Sequence, residues 1–344
     1  MEKDSRQEAL KLWAYAKIRH INPDVGTLQW SMVSGDASFR RYFRWGNDQQ
    51  SWICVDAPPE HENSEQFIKV ADMLQVVNAP QVLAYDLADG FMLLSDLGDQ
   101  LYLPLLLNPT ESAPSADALY NSAIDSLVTM QSIEGADSLP AYDSTLLNTE
   151  MELFREWFLD RYLNYPLSEQ EYQLLDNTFK QLTDNALEQP QVFVHRDYHS
   201  RNIMYIEGQE PGIIDFQDAV YGPITYDLLS LLRDCYIQWP QEQVLKWIDY
   251  FIEQSPLPLN KQTFLKWFDW MGLQRHIKVA GIFSRLNFRD GKSGYLKDIP
   301  LTLSYILQQA ENYPEMANFH QWLQDTIMPL YQKRVEEDAL GVGA

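Results

Sequence analysis

The 344-residue chain is short of positive charge, of cysteine and of long apolar runs. Lysine and arginine number 26 against 49 acidic residues, a formal net charge of −23. A surface of that sign repels nucleic-acid phosphates and anionic lipid. Neither nucleic acid nor membrane is therefore expected as a partner, and a small anionic ligand would need a basic pocket of its own. No apolar run reaches the roughly 18 residues that read as a membrane span. The opening MEKDSRQEALKLWAYAKIRH is charged throughout and lacks the apolar core of a secretion signal, so a cytoplasmic location is expected. The two cysteines, Cys54 and Cys235, form no CxxC pair and read as buried free thiols.

What the chain does have is core material: 45% hydrophobic and 13% aromatic residues. The opening segment has helical spacing through Leu10, Trp13, Ala14 and Ile18. From there to about residue 97, TLQWSMV, RRYFRW, SWICVDA, PQVLAYD and GFMLLSDL alternate or cluster apolar residues between Gly, Asp-Gly and Pro-Pro signals, which predicts a small antiparallel sheet. One helix, NSEQFIKVADMLQVVN, interrupts it after a possible Ser64 cap. Beyond DLGDQ most segments repeat apolar residues at i, i+3 and i+4, while QVFVHRD, NIMYIEG and PGIIDFQD carry strand-forming residues. Residues 98–120 read as a loop-rich connection and EEDALGVGA as a frayed tail. The expected fold class is α+β: a small β-rich N-lobe over residues 1–97 and a larger α-helical C-lobe over 98–344.

The chemistry concentrates in VHRDYHSRNIMYIEGQEPGIIDF. An H-R-D triplet is followed by Asn202, five positions after Asp197, and by Asp215, 18 positions after it, at the end of an apolar strand. Transfer of a γ-phosphoryl group needs a carboxylate near the acceptor hydroxyl and oxygen ligands for a metal that bridges phosphates. Asp197 suits the first role, and Asn202 with Asp215 the second. The same residue types also cap ordinary turns, but the two spacings and the flanking strands favour the kinase reading. The pattern resembles the catalytic loop and metal-binding motif of protein kinases. With His199 two residues after Asp197 it is more similar to the aminoglycoside phosphotransferase family.

That resemblance implies a two-lobed protein-kinase-like fold, with ATP and Mg2+ as cofactors. His195 and Arg196 would brace the loop, as would Asp227 in TYDLLSLL. The segment SGDASFRRYF stands where such kinases fold a hairpin over the phosphates. Ser34, Gly35, Asp36, Ala37 and Ser38 would offer backbone amides there, and Arg40 or Arg41 positive charge. Ser95, Asp96 and Leu97 would form the hinge against adenine. One departure stands out: SWICVDA carries no lysine or arginine where the family presents one to the phosphates. Arg40, Arg41 and Arg44 are the candidates to replace it, with Arg40 and Arg44 on one strand face and Arg41 on the other.

SGDASFRRYFR, DAPPEHE, MLLSDLGD, FREWFL, LQRHIKVAGIFSRL and RDGKSGYLKDIP together are similar to the branch of that family holding the bacterial anomeric kinases of N-acetylmuramate and N-acetylglucosamine. The resemblance runs from about residue 30 to 310. It implies ATP-dependent phosphorylation of the C1 hydroxyl of a small-molecule amino sugar in cell-wall recycling. The lactyl carboxylate of N-acetylmuramate would need a cation. The stretch holding Arg275, His276, Lys278, Arg285, Arg289 and Lys292 offers several, and His199, Glu156, Trp157, Arg275, Lys278 and Arg285 are the expected acceptor contacts. A solvated basic helix face explains the same charges equally well. The alternatives are a kinase of another hydroxyl compound, aminoglycosides included, or a nucleotide-binding pseudokinase.

Overall fold

The computed structural model describes residues 2–35, 39–110 and 113–340. Asp36, Ala37 and Ser38, expected at the phosphates, lie outside the described residues. The chain divides into two compact units, Met1–Ile133 with Arg201–Ala219, and Glu134–Ser200 with Val220–Ala344.

The first unit is built on an antiparallel sheet in the order β1-β2-β3-β5-β4: β1 (Gln29–Gly35), β2 (Arg41–Gly46), β3 (Ser51–Asp56), β4 (Val82–Asp86) and β5 (Phe91–Ser95). Each expected strand is present. Period-two alternation gives the sheet two distinct faces. Phe43, Trp52, Cys54, Phe91 and Leu93 point to α1 (Glu2–Ile21) and pack on its Leu10, Ala14 and Ile18. Tyr42, Arg44, Ile53 and Leu94 point the other way. Burial among apolar neighbours pushes the Cys54 thiol up to about 12, so it is an inert core residue. The helix between strands, α2 (Ser64–Met73), is capped by Asn63, whose side chain accepts from the Gln66 N–H at 3.0 Å. Ser64 is its first helical residue, so the expected cap lies one position earlier.

The unit continues through α3 (Tyr102–Leu107) and α4 (Ala116–Gln131), so the segment read as loop contains a short helix. Two short strands complete it, β7 (Ile203–Met204) and β8 (Gly212–Ile213), a hairpin pairing Ile203 with Ile213. Ile213 N–H donates to the Asn78 carbonyl and Tyr205 N–H to the Gln100 carbonyl. A Cβ on Gly212 would stand 2.8 Å from Leu97 Cδ1, so the hairpin lies close against the residues after β5.

The second unit pairs β6 (Gln191–Val194) with β9 (Val220–Pro223) and is otherwise helical. Its helices are α5 (Ser144–Leu153), α6 (Glu169–Glu188), α7 (Thr225–Leu232), α8 (Gln241–Gln254), α9 (Lys261–Asp290), α10 (Ile299–Glu311), α11 (Ala317–Trp322) and α12 (Met328–Ala339). The last includes residues read from sequence as a frayed tail. Helix α9 is the centre, with every residue from Trp270 to Gly281 buried. A helix buried all round cannot show a polar stripe. After α5 the backbone widens into a π-helical stretch, Phe154–Tyr162. Gly281 of α9 meets it there: a Cβ would fall 2.4 Å from the Leu153 carbonyl carbon. The two helices therefore touch backbone to backbone, and side chains one turn away are brought into contact range.

Candidate active site

In the first unit, a cavity of about 420 Å³ lies beneath the sheet, within the ~300–1,000 Å³ range of small-molecule sites. Val33, Ile53 and Leu94 line one side and Met204 and Ile214 belong to the hairpin side, an apolar slot for a flat ring. Ser95, Asp96 and Leu97 line it, as do Asn202 and Asp215. Asp215 Oδ2 accepts from Asn202 Nδ2 at 3.2 Å and Oδ1 accepts from Gln217 Nε2 at 2.8 Å. One carboxylate beside one side-chain amide is a hard-oxygen donor set. No group of three His, Cys, Asp or Glu suited to a metal occurs among the described residues. Such a sparse set fits Mg2+, which keeps waters and takes phosphate oxygens in place of a full protein cage.

The three candidate arginines are sorted by partner. Arg41 bonds Asp56, its cross-strand neighbour, and Asp56 also takes Arg6 of α1 at 2.7 Å. This pair lies on the α1 face, as alternation requires. Arg40, 6% exposed, pairs with Glu62 at 3.1 Å and stands over the Phe67 ring, which contacts the ring of Phe216. Arg44 lines the cavity and bonds Asp96 and Asp99, both at 2.5 Å. The Asp96 side chain, though burial opposes its ionisation, is held below the usual carboxylate range by Arg44, Ser51 and the Gly98 N–H. Ser34 and Gly35 close strand β1.

The second unit carries the H-R-D loop. Only three non-glycine residues among those described have positive φ, and two stand in the motifs: Arg196 at 76° and Asp215 at 66°. Such a backbone costs about 1 kcal/mol or more outside glycine and persists only where contacts hold it. At Arg196 they do. Asp227 of α7, fully buried, accepts from His195 N–H at 2.6 Å and Arg196 N–H at 3.0 Å. Asp197 N–H donates to His195 Nδ1 at 3.2 Å, and Asp234 Oδ2 accepts from both the N–H and hydroxyl of Ser200. Asp227 thus ties the backbone of His195 and Arg196, and the His195 ring takes the Asp197 N–H. Asp234 adds a brace that the sequence reading missed, although it follows Asp227 by seven residues at the end of the same helix run.

Burial opposes a charge on Asp197, yet Lys278, His199, Arg196 and His195 together hold it below the usual carboxylate range. Two of the expected acceptor cations sit elsewhere than expected. Lys278 is 7% exposed and donates to Glu150 at 2.8 Å and to the Tyr226 hydroxyl at 2.9 Å. Arg275 is 4% exposed, with Nη1 3.6 Å from Cys235 Sγ. These charges are internal because α9 is interior. His276 is pushed down to about 3 by burial and by Arg275, and its Nε2 meets the Arg233 carbonyl at 3.0 Å. It is a neutral core imidazole.

Farther along α9, Arg285 is partly exposed, its Nε has no hydrogen-bond partner, and Arg289, Asp290 and, least, Glu156 act on its charge. Glu156 itself is exposed and Trp157 half-buried. Tyr236, absent from the sequence reading, stands edge-on to His199 at 5.5 Å and contacts Phe283, two residues before Arg285. Nothing in its flanking sequence separates it from the other 18 tyrosines.

The family described as "Phosphotransferase enzyme family" matches residues 29–258. The N-acetylmuramate/N-acetylglucosamine kinase of Pseudomonas aeruginosa is 40% identical over 338 residues, covering 94% of this chain and 97% of its own. The protein of the same name from Neisseria meningitidis serogroup B is 40% identical over 328 residues, covering 94% and 96%. Among solved structures, an ADP-bound aminoglycoside phosphotransferase superposes with a TM-score of 0.54 at 15% identity, over 84% of this chain and 97% of that one, which establishes the protein-kinase-like fold. The chain belongs to the phosphotransferase enzyme family.

Proposed function

We propose that the protein is an ATP-dependent kinase that phosphorylates the anomeric C1 hydroxyl of N-acetylmuramate, N-acetylglucosamine or both. The observation that carries the reading is the braced, left-handed Arg196 that presents an ionised Asp197, five residues before Asn202 in a chain 40% identical to kinases bearing those substrate names. The apolar slot of the first unit takes adenine, with the backbone of Ser95–Leu97 against its edge. Asn202 and Asp215 hold Mg2+, which when bound neutralises charge on the β- and γ-phosphates.

Asp197 accepts a hydrogen bond from the C1 hydroxyl and orients it. The C1 oxygen forms the new bond to the γ-phosphorus, the bond to the β-γ bridging oxygen breaks, and ADP leaves. The hydroxyl proton passes to the Asp197 carboxylate late in the step and is then released to solvent. A hemiacetal hydroxyl is more acidic than an ordinary alcohol, so a weakly basic carboxylate suffices. Tyr236 offers an aromatic face beside His199 for the sugar ring, and the unpartnered Arg285 Nε faces the lactyl carboxylate. The sugar names of the relatives favour this reading over aminoglycosides.

The test is ATP consumption by the purified protein with Mg2+ and each sugar, the phosphorylated position being assigned by phosphorus NMR. A sugar 1-phosphate is expected. Nucleotide binding with no product from either sugar would overturn the assignment.

A further inference from the structure

A carboxylate that the sequence gives no reason to single out lies at the centre of the charge cluster in the second unit. Glu150 of α5 is 5% exposed and receives donors from three parts of the fold. Oε1 takes Arg196 Nη2 of the H-R-D loop and Lys278 Nζ of α9 at 2.8 Å. Oε2 takes the Tyr142 hydroxyl and Gln274 Nε2, the latter at 3.4 Å. Burial opposes its charge, but Lys278 and Arg196 hold the carboxyl below the usual glutamate range, so it is an anion.

We propose that Glu150 is a positioning residue for Asp197. It anchors the Arg196 side chain and so fixes the left-handed turn that aims Asp197, and it holds Lys278 in place as Asp197's counter-charge. The inference rests on the kinase reading above for its role in turnover.

Three observations carry it. First, Arg196 is held at both ends: Asp227 takes its N–H and Glu150 its guanidinium. A non-glycine residue at φ 76° needs such anchoring, and Asp197 is the next residue. Second, Lys278 is the largest charge opposing the effect of burial on Asp197, and Glu150 is its carboxylate partner. Third, the placement is built into the backbone. Glu150 lies three residues before Leu153 and Lys278 three before Gly281, the point where a Cβ would collide with the Leu153 carbonyl group.

The charged groups acting on Asp197 are Lys278 and Arg275 from α9, His195, Arg196 and His199 from its own loop, and Asp227 from α7. Glu150 is bonded to two of them. Without its charge, Lys278 and Arg196 would act on Asp197 uncompensated by their shared carboxylate, which would make Asp197 a weaker base.

The test uses opposite signs. The Asp197 carboxyl of the full-length protein is titrated by carbon-13 NMR without any sugar, the resonance being assigned by its loss in Asp197→Asn. Glu150→Gln should move its midpoint to lower pH and Lys278→Met to higher pH. Glu150→Gln should also lower kcat by about ten- to a hundredfold, as small misplacements of a reacting group do, with a smaller change in KM. A residue serving only stability would lower the melting temperature and leave the midpoint unmoved, and that result would overturn the proposal. Should Glu150→Gln not fold, the pair Glu150→Gln/Lys278→Met, which removes one charge of each sign, replaces it. Its Asp197 midpoint should lie below that of Lys278→Met alone, and identical midpoints would overturn the proposal. The titration needs no acceptor, so failure of the sugar assignment, seen as no turnover by the unmodified protein, is read separately.

Discussion

Asp56 in the first unit and Asp197 in the second both stand among cations, in different arrangements. Arg6 and Arg41 bond Asp56 itself and tie the first helix to two strands. Arg196 and Lys278 bond Glu150 and act on Asp197 through their charge. The first arrangement saturates a carboxylate and fixes backbone. The second keeps a carboxylate ionised while two of the charges acting on it, Arg196 and Lys278, are bonded to Glu150.

The comparison is broken most sharply at Asp197. Asp197→Asn should lower turnover by about a thousandfold, the loss expected on removing a general base, while ATP affinity measured by calorimetry changes by less than about twofold. Next comes Asp56→Ala, which leaves Arg6 and Arg41 without their carboxylate. Breaking a buried pair from one side costs about 3–5 kcal/mol, so denaturant unfolding of the first unit should shift by that amount while the Asp197 titration is unchanged.

Arg44→Leu sharpens the contrast on the cavity side. It removes the bridge to Asp96 and Asp99 beside the expected hinge, and the KM for ATP should rise about three- to tenfold, an effect of about 1 kcal/mol, with kcat nearly constant.

The smallest effect concerns acid stability. Burial opposes the charge of Glu171, but Ser168, Tyr165 and Trp322 donate to it and lower it from 4.5 to about 2. A carboxyl depressed on folding stabilises the folded chain above its unfolded value and loses that contribution as pH falls toward the folded one. Between pH 4.5 and about 2, melting temperature should therefore fall less steeply in Glu171→Gln than in the unmodified protein.

The five strands, α1 and the H-R-D, asparagine and I-I-D-F elements were legible because each rests on a local signal: alternation, helical spacing or a fixed interval along one loop. Asp227 was legible through the motif to which it belongs. Arg40, Arg41 and Arg44 were legible as a group, and alternation separated Arg41 from the others, but only Glu62, Asp56 and Asp96 as partners showed what each one does. The basic residues of α9 illustrate the opposite case. Their sequence reads equally as a solvated face or as an acceptor pocket, and Arg275, His276 and Lys278 are interior groups.

The sequence by itself determined the class of chemistry, because phosphoryl transfer requires a few residue types at short, fixed separations on one loop. Tertiary structure decided the state of those groups. Glu150 and Lys278 lie far apart in the chain and meet where Gly281 lets α9 touch the end of α5, and Lys278 also reaches Tyr226 of α7. Charge interactions depend on distance in space, and no pattern of residues along the chain encodes that distance.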